Sequence, residues 1–154
     1  MTNNDIIRRL RYTFDFNDSK MIELFALADA KVSRAQVSDW LKKEDDPESR
    51  NISDEMLATF LNGFISDRRG KREGPQPVPE KKLSNNAIFR KLKIALNLKD
   101  TDIIAIFDLV DLRVSKHEIT ALFRNPSQNQ YRVCKDQFLR VFMQGLNAKY
   151  RKEE

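Results

Sequence analysis

The sequence predicts an all-α protein made of two tandem four-helix repeats, and three observations carry that prediction. First, the chain repeats itself. Laid over itself at an offset of 82 residues, it pairs Asn3-Asn4 with Asn85-Asn86, Arg8 with Arg90, Asp18 with Asp100, Phe25 with Phe107, Asp29 with Asp111, Val32-Ser33 with Val114-Ser115 and Gly63 with Gly145, without a gap from residue 3 to residue 65. Unrelated helices agree in apolar character, but not in Asp, Asn and Gly at one fixed offset. Second, apolar residues recur at helical spacing throughout both copies. Third, 4 Gly and 5 Pro among 154 residues supply too few turns for an all-β fold, while 40% hydrophobic content is enough for a core. A copy of some 65 residues buries only a marginal core alone, so the two are expected to pack as an internal pseudo-twofold dimer.

The first helix carries Ile6, Ile7, Leu10 and Phe14 after Asn4 as its cap, matched by Ile88, Phe89, Leu92 and Leu96 after Asn86. The second starts at Asp18 or Ser19 and bears Ile22, Phe25 and Leu27; its counterpart starts at Asp100 or Thr101 and bears Ile104, Phe107 and Leu109. Met21, Leu24, Ile103 and Ile106 add a second apolar side, which predicts burial on most faces. Capping boxes open the third helix, Ser33 with Gln36 and Ser115 with Glu118. Its inner stripe is Val37, Trp40 and Leu41 in one copy and Ile119, Leu122 and Phe123 in the other, with Pro47 and Pro126 beyond the ends. After about ten irregular residues, a long fourth helix carries Met56, Leu57, Phe60, Leu61 and Phe64, against Phe138, Leu139, Phe142, Met143 and Leu146. Gly63 and Gly145 fall inside it, where Gly costs about 1 kcal/mol relative to Ala. Either the backbone there touches a neighbouring helix, the opposite copy included, or the helix ends or bends.

The domain plan is therefore repeat 1 over residues 1–65, repeat 2 over residues 84–154, and a basic linker over residues 66–83 that holds two of the four Gly and three of the five Pro. Pro75, Pro77 and Pro79 fix φ and favour an extended, semi-rigid spacer.

The inventory for catalysis is thin, and no enzyme is expected. His117 is the sole histidine, near the start of a helix where exposure is expected, and Cys134 is the sole cysteine, without a CxxC neighbour. One cysteine provides neither a disulfide within the chain nor a zinc cluster. There is no GxGxxG or GxxxxGK[ST] loop to hold a phosphate-bearing cofactor. Glu44, Asp45, Asp46 and Glu48 lack calcium-loop spacing and read as a solvated acidic loop. No metal, cofactor or small-molecule substrate is expected. Arg8, Arg9 and Arg11 interrupt the N-terminal apolar residues, so no export signal is expected. No apolar run approaches about 18 residues, so no membrane span is expected either, and the location read from this is cytoplasmic.

The connection between the second and third helices resembles a helix-turn-helix. Val32, Val37 and Trp40 have its 5-then-3 spacing, as do Val114, Ile119 and Leu122. The outward face of the third helix then offers Ser33, Arg34, Ser38 and Lys42 in repeat 1, and Lys116, His117, Thr120 and Arg124 in repeat 2. Lys31 and Arg113 stand where that motif usually has Gly, and any packed three-helix unit can generate the same spacing, so a structural hairpin and a DNA reader both stay open.

Affinity for nucleic acid follows the placement of charge more than its sum. Residues 1–65 carry 9 Lys+Arg and 12 Asp+Glu, a net of −3; residues 66–83 carry 6 and 3, a net of +3; residues 84–154 carry 13 and 8, a net of +5. Repeat 1 follows its third helix with Glu44, Asp45, Asp46 and Glu48, where repeat 2 has the neutral Pro126, Ser127, Gln128 and Asn129. A nucleic-acid site would therefore lie in repeat 2, at Arg113, Lys116, His117, Thr120 and Arg124, aided by the linker's Arg68, Arg69, Lys71 and Arg72.

The segments NNDIIRRLRY, WLKKEDD and FLNGFISDRRGK, with RVSKHEITALFR and QFLRVFMQGL in the second copy, resemble the YehS-like family of bacterial proteins. That resemblance covers the chain from Asn3 to about Lys149 and implies a tandem duplicated helical domain of unknown function in a cytoplasmic protein. It implies no catalytic residue, cofactor or substrate. The function expected from the residues is non-enzymatic nucleic-acid binding or regulation, with DNA as the partner. The alternative is a protein-interaction module that recognises another protein or a second copy of itself, favoured by the opposite charges of the two halves.

Overall fold

A computed structural model describes residues 1–151. Among the described residues there are eight helices and no strand: α1 (Asn3–Phe14), α2 (Asp18–Leu27), α3 (Arg34–Leu41) and α4 (Asp54–Arg69), then α5 (Asn85–Ala95), α6 (Asp100–Asp108), α7 (Lys116–Leu122) and α8 (Asp136–Tyr150). The chain divides into two compact units, residues 1–83 and a second beginning at Ser84.

The cores follow the predicted stripes. In the first unit Ile6, Ile7 and Leu10 of α1, Met21, Leu24 and Phe25 of α2 and the inner side of α4 are all buried, with α1 and α2 each packed against α3 and α4. Phe25 lies against Trp40 and Phe60, with ring centroids 5.4 Å away in each case. In the second unit Phe89 stacks on Phe142 at 4.1 Å, and Phe107 touches both Phe142 and Phe138. The second helix of each repeat is less buried than expected. Ile22 and Ile104 are half-buried, and Leu109, past the end of α6, is 54% exposed.

Both Ser capping boxes form: Ser33 Oγ accepts from the Gln36 N–H and Ser115 Oγ from the Glu118 N–H, each at 3.1 Å, and both side chains reach back. The first and second helices start differently from expectation. Thr2 and Ser84 cap α1 and α5, Asn17 caps α2, and Lys99 stands at the start of α6, where its N–H donates to the Asp102 carboxylate.

Asn4 and Asn86 are buried cross-links rather than caps. The Asn4 amide donates to the carbonyls of Trp40 (3.0 Å) and Arg50 (2.7 Å), and its oxygen accepts from the Ile52 N–H at 3.1 Å. Asn86 does the same with Leu122 O at 3.0 Å, Arg132 O at 2.8 Å and the Cys134 N–H at 2.8 Å. Each thereby satisfies a loop that would otherwise bury unpaired backbone groups. Their neighbours Asn3 and Asn85 donate at 2.7 Å to Asp54 and Asp136, which holds both carboxyls below the usual aspartate range; the Leu83 N–H adds to this at Asp54.

The glycines mark close helix contact within each repeat, not with the opposite copy. A Cβ on Gly63 would lie 1.7 Å from the Leu24 carbonyl oxygen, and one on Gly145 would lie 2.7 Å from that of Ile106. α4 thus presses its backbone onto α2, and α8 onto α6.

The expected spacer over residues 66–83 begins inside a helix, because α4 continues through Arg69. The remainder returns along the same helix. Pro77 and Arg72 face Asn62, Ile65 and Ser66 across a cleft of about 190 Å³, Lys71 pairs with Asp29 at 3.4 Å, and the Leu83 N–H donates to Asp54 at the start of α4. No helix among the described residues is long and apolar enough to cross a membrane.

Candidate functional site

The site builds up around α7. Asp111 turns the chain after α6 in the left-handed region (φ 61°), as Asp29 does after α2 (φ 61°). An Asp tolerates this conformation better than most side chains. Because the turn is made there, three residues before Val114, Arg113 needs no positive φ and no Gly is required. The connection spans residues 109–115, and its counterpart residues 28–33, whereas a helix-turn-helix joins its helices by about 3–4 residues. The connection is thus longer than that motif's, and Val114, Ile119 and Leu122 are all buried. Ile119, Ala121 and Leu122 face the core from α7.

On the other side of α7, Lys116 and His117 are exposed, and Thr120 is half-buried, its hydroxyl donating to the His117 carbonyl at 3.1 Å. Arg113 is exposed just before the helix, and Arg124 is half-buried just after it, with a buried Nε that has no hydrogen-bond partner among the described residues. Sequence reasoning missed Arg132, Lys135 and Phe138. Their signal was the pinning of residues 132–134 by Asn86, which brings that segment beside α7.

Between α7 and this segment lies a groove of about 350 Å³. Leu122, Cys134 and Phe138 line it, with Ala121 on the helix side and the 69% exposed Val133 at the mouth. His117, Arg132 and Lys135 bring positive or protonatable groups to it, and the Glu118 carboxylate there is tied to Ser115 by the capping box. Cys134 is 2% exposed, and burial pushes its thiol up to about 12, so it is a neutral thiol and a poor nucleophile at pH 7.

The equivalent place in repeat 1 differs in both charge and shape. Arg34, the counterpart of Lys116, pairs with Asp18 at 3.4 Å, and Lys42, the counterpart of Arg124, pairs with Asp39 at 2.8 Å. In repeat 2, Ala121 takes the place of Asp39. Among the described residues Arg113, Lys116, Arg124, Arg132 and Lys135 have no carboxylate partner. The larger Trp40 and Ile52 of repeat 1 stand where repeat 2 has Leu122 and Cys134.

The linker cations belong to the first unit. Arg68 lies over the rings of Phe14 (5.2 Å) and Phe64 (5.5 Å), Lys71 is engaged by Asp29, and the Arg72 carbonyl accepts from Gln76 at 2.8 Å; Arg69 ends α4, exposed. Arg68 and Lys71 are thus occupied within their own unit. Among the described residues no group of three or more His, Cys, Asp or Glu could hold a metal ion.

Comparison with known proteins agrees with the duplicated architecture. The uncharacterized protein YehS of Escherichia coli (strain K12) is 41% identical over 150 residues, covering 97% of this chain and 96% of that protein. No solved structure matches the chain. The family described as "Protein of unknown function (DUF1456)" matches twice, at residues 3–70 and 85–152, one match for each set of four helices. The chain is thus a member of the DUF1456 family that carries the family's domain in tandem.

Proposed function

We propose that the chain binds nucleic acid and that repeat 2 does the binding, with the cations around α7 holding phosphates. The observation that carries this reading is the release of charge between the repeats. Cations at the same two positions pair with Asp18 and Asp39 in repeat 1, while among the described residues Lys116 and Arg124 of repeat 2 are in no ion pair: Ala121 replaces Asp39, and Asp100, the counterpart of Asp18, pairs with Lys93 instead. An unpaired surface cation releases a counterion when a phosphate replaces it, which is the main source of affinity for nucleic acid. The unsatisfied Arg124 Nε supports the same reading, since a buried donor without a partner invites an acceptor. Arg113, Arg132 and Lys135 extend the patch, and the neutral loop at residues 126–129 adds no repulsion where repeat 1 has Glu44, Asp45, Asp46 and Glu48.

The test is a fluorescence-anisotropy titration of labelled random-sequence oligonucleotide, at low salt and again near 0.2 M. Four or five phosphate contacts imply a slope of log affinity against log salt of about −3 to −4. Lys116→Glu with Arg124→Glu should flatten that slope by about 2 and weaken binding more than tenfold. The paired cations of repeat 1 give the control: Arg34→Glu with Lys42→Glu should leave both nearly unchanged. No binding at low salt, or equal losses from the two double variants, would sink the reading and move the chain to the protein-interaction alternative.

A further inference from the structure

We infer that the groove beside α7 takes an unpaired nucleobase, so that the nucleic acid held by repeat 2 is single-stranded. The inference rests on the phosphate-binding reading above and specifies its ligand. Three features of the groove carry it. Its size comes first: about 350 Å³ lies at the lower end of the range for small-ligand sites, room for one base and its sugar rather than for a helix or strand. Its lining comes second. Leu122 and Val133 give it apolar lining, and Phe138, half-buried, also lines it while its ring lies against those of Phe89 and Phe107. A ring so held offers a rigid stacking surface to a planar base.

The third feature is the rim. Arg132 and Lys135 flank the slot without carboxylate partners, so a base can enter while its phosphates stay outside on the cations. An apolar aromatic platform beside a cationic track is the general design for single strands, because every base has a face to stack. A duplex keeps its bases stacked on one another and would leave the slot empty unless a base were extruded at a cost. The lining also differs between the repeats. Trp40 and Ile52 stand at the positions of Leu122 and Cys134, and Asp39 at that of Ala121; the Glu118 carboxylate, where repeat 1 has Gln36, lines the groove but is held by the Ser115 N–H and hydroxyl.

Three labelled ten-residue probes of matched backbone decide it: oligothymidylate, an abasic sugar-phosphate strand, and a duplex. The intact protein should bind oligothymidylate about tenfold more tightly than the abasic strand, as stacking of one base predicts. Leu122→Trp with Cys134→Ile, which rebuilds the repeat 1 filling, should bring oligothymidylate down to the abasic level and leave abasic binding unchanged. Should that core variant fail to fold, Phe138→Leu removes the stacking ring alone and should lower oligothymidylate affinity severalfold, again without effect on the abasic strand. Equal affinity for oligothymidylate and the abasic strand, or tighter binding of duplex, would overturn the groove inference and leave the phosphate reading standing. Binding of none of the three would overturn both.

Discussion

Substituting Ala for Gly63 sets two opposed effects against each other on a known geometry. Ala is a better helix former than Gly by about 1 kcal/mol, so at an open helical site the change would stabilise. Here the new Cβ would sit 1.7 Å from the Leu24 carbonyl oxygen, and real Cβ contacts do not fall below 3.0 Å, so α2 and α4 must separate there by at least 1.3 Å. Backbone on backbone leaves no side chain to rotate aside. A gap of 0.5–1 Å already forfeits a quarter to a half of each dispersion contact across an interface. This interface includes Leu24, Phe25 and Phe60, all fully buried. Overpacking typically costs about 1–3 kcal/mol and sometimes more, and a displacement this large belongs at the upper end, so the net loss should be about 3 kcal/mol. Gly145→Ala needs only 0.3 Å at the Ile106 oxygen (2.7 to 3.0 Å) and 0.4 Å at its Cγ2 (2.6 to 3.0 Å), so its net loss should be about 1 kcal/mol. Urea unfolding reads both. Trp40 is the sole tryptophan, so its fluorescence reports repeat 1, and far-UV circular dichroism reports both repeats. With a slope of about 1–3 kcal/mol/M, Gly63→Ala should lower the fluorescence midpoint by on the order of 1–3 M. An unchanged or raised midpoint would refute the argument, because helix propensity would then have outweighed the contact.

Two further predictions concern the asparagine pairs. Asn86→Ala leaves the Leu122 and Arg132 carbonyls and the Cys134 N–H without their partner, at about 1–3 kcal/mol for each group that stays dry. Stability should fall by about 3–5 kcal/mol, with faster hydrogen exchange at the Cys134 amide; slow exchange in a folded variant would contradict the assignment. The second prediction concerns acid. Because Asn3 holds the Asp54 carboxyl below an ordinary aspartate's 3.8, its contribution to stability is present above about pH 3.8 and is lost as pH falls through the lower folded value. Urea midpoints measured from pH 5 down to pH 2 should therefore drop less steeply in Asp54→Asn than in the parent, and parallel curves would count against it.

The duplication was legible because identical residues recur where both repeats need the same backbone geometry. Asn4 and Asn86 were visible as a repeated pair but misread as caps. A capping Asn and a cross-linking Asn look alike locally, and the partners of Asn4 lie 36–48 residues away. The return of residues 70–83 along α4 left no pattern, since Pro-rich chain has no periodicity and its contacts, Lys71 with Asp29 and the Leu83 N–H with Asp54, join residues 42 and 29 positions apart. Lys116 and His117 are exposed, as their place on the outward face of the third helix predicts, whereas Arg124 is half-buried; the difference in ion pairing emerges only from comparing the repeats. The Lys42–Asp39 pair sits at i, i+3 and could be anticipated, whereas the Arg34–Asp18 pair joins two helices and could not. The groove escaped notice because it arises from small residues at positions where the other repeat has Trp40 and Ile52.

The three bonds of Asn86 have a consequence for how anything could enter the groove. They fix one wall, residues 132–134, to the end of α7 and to α5 before any ligand arrives. A loop that must be frozen on association loses conformational freedom at that moment and weakens the complex. Here that loss is already taken during folding, so the groove is preorganised. Its occupant should meet it in one step, with little backbone adjustment between the free and the bound protein.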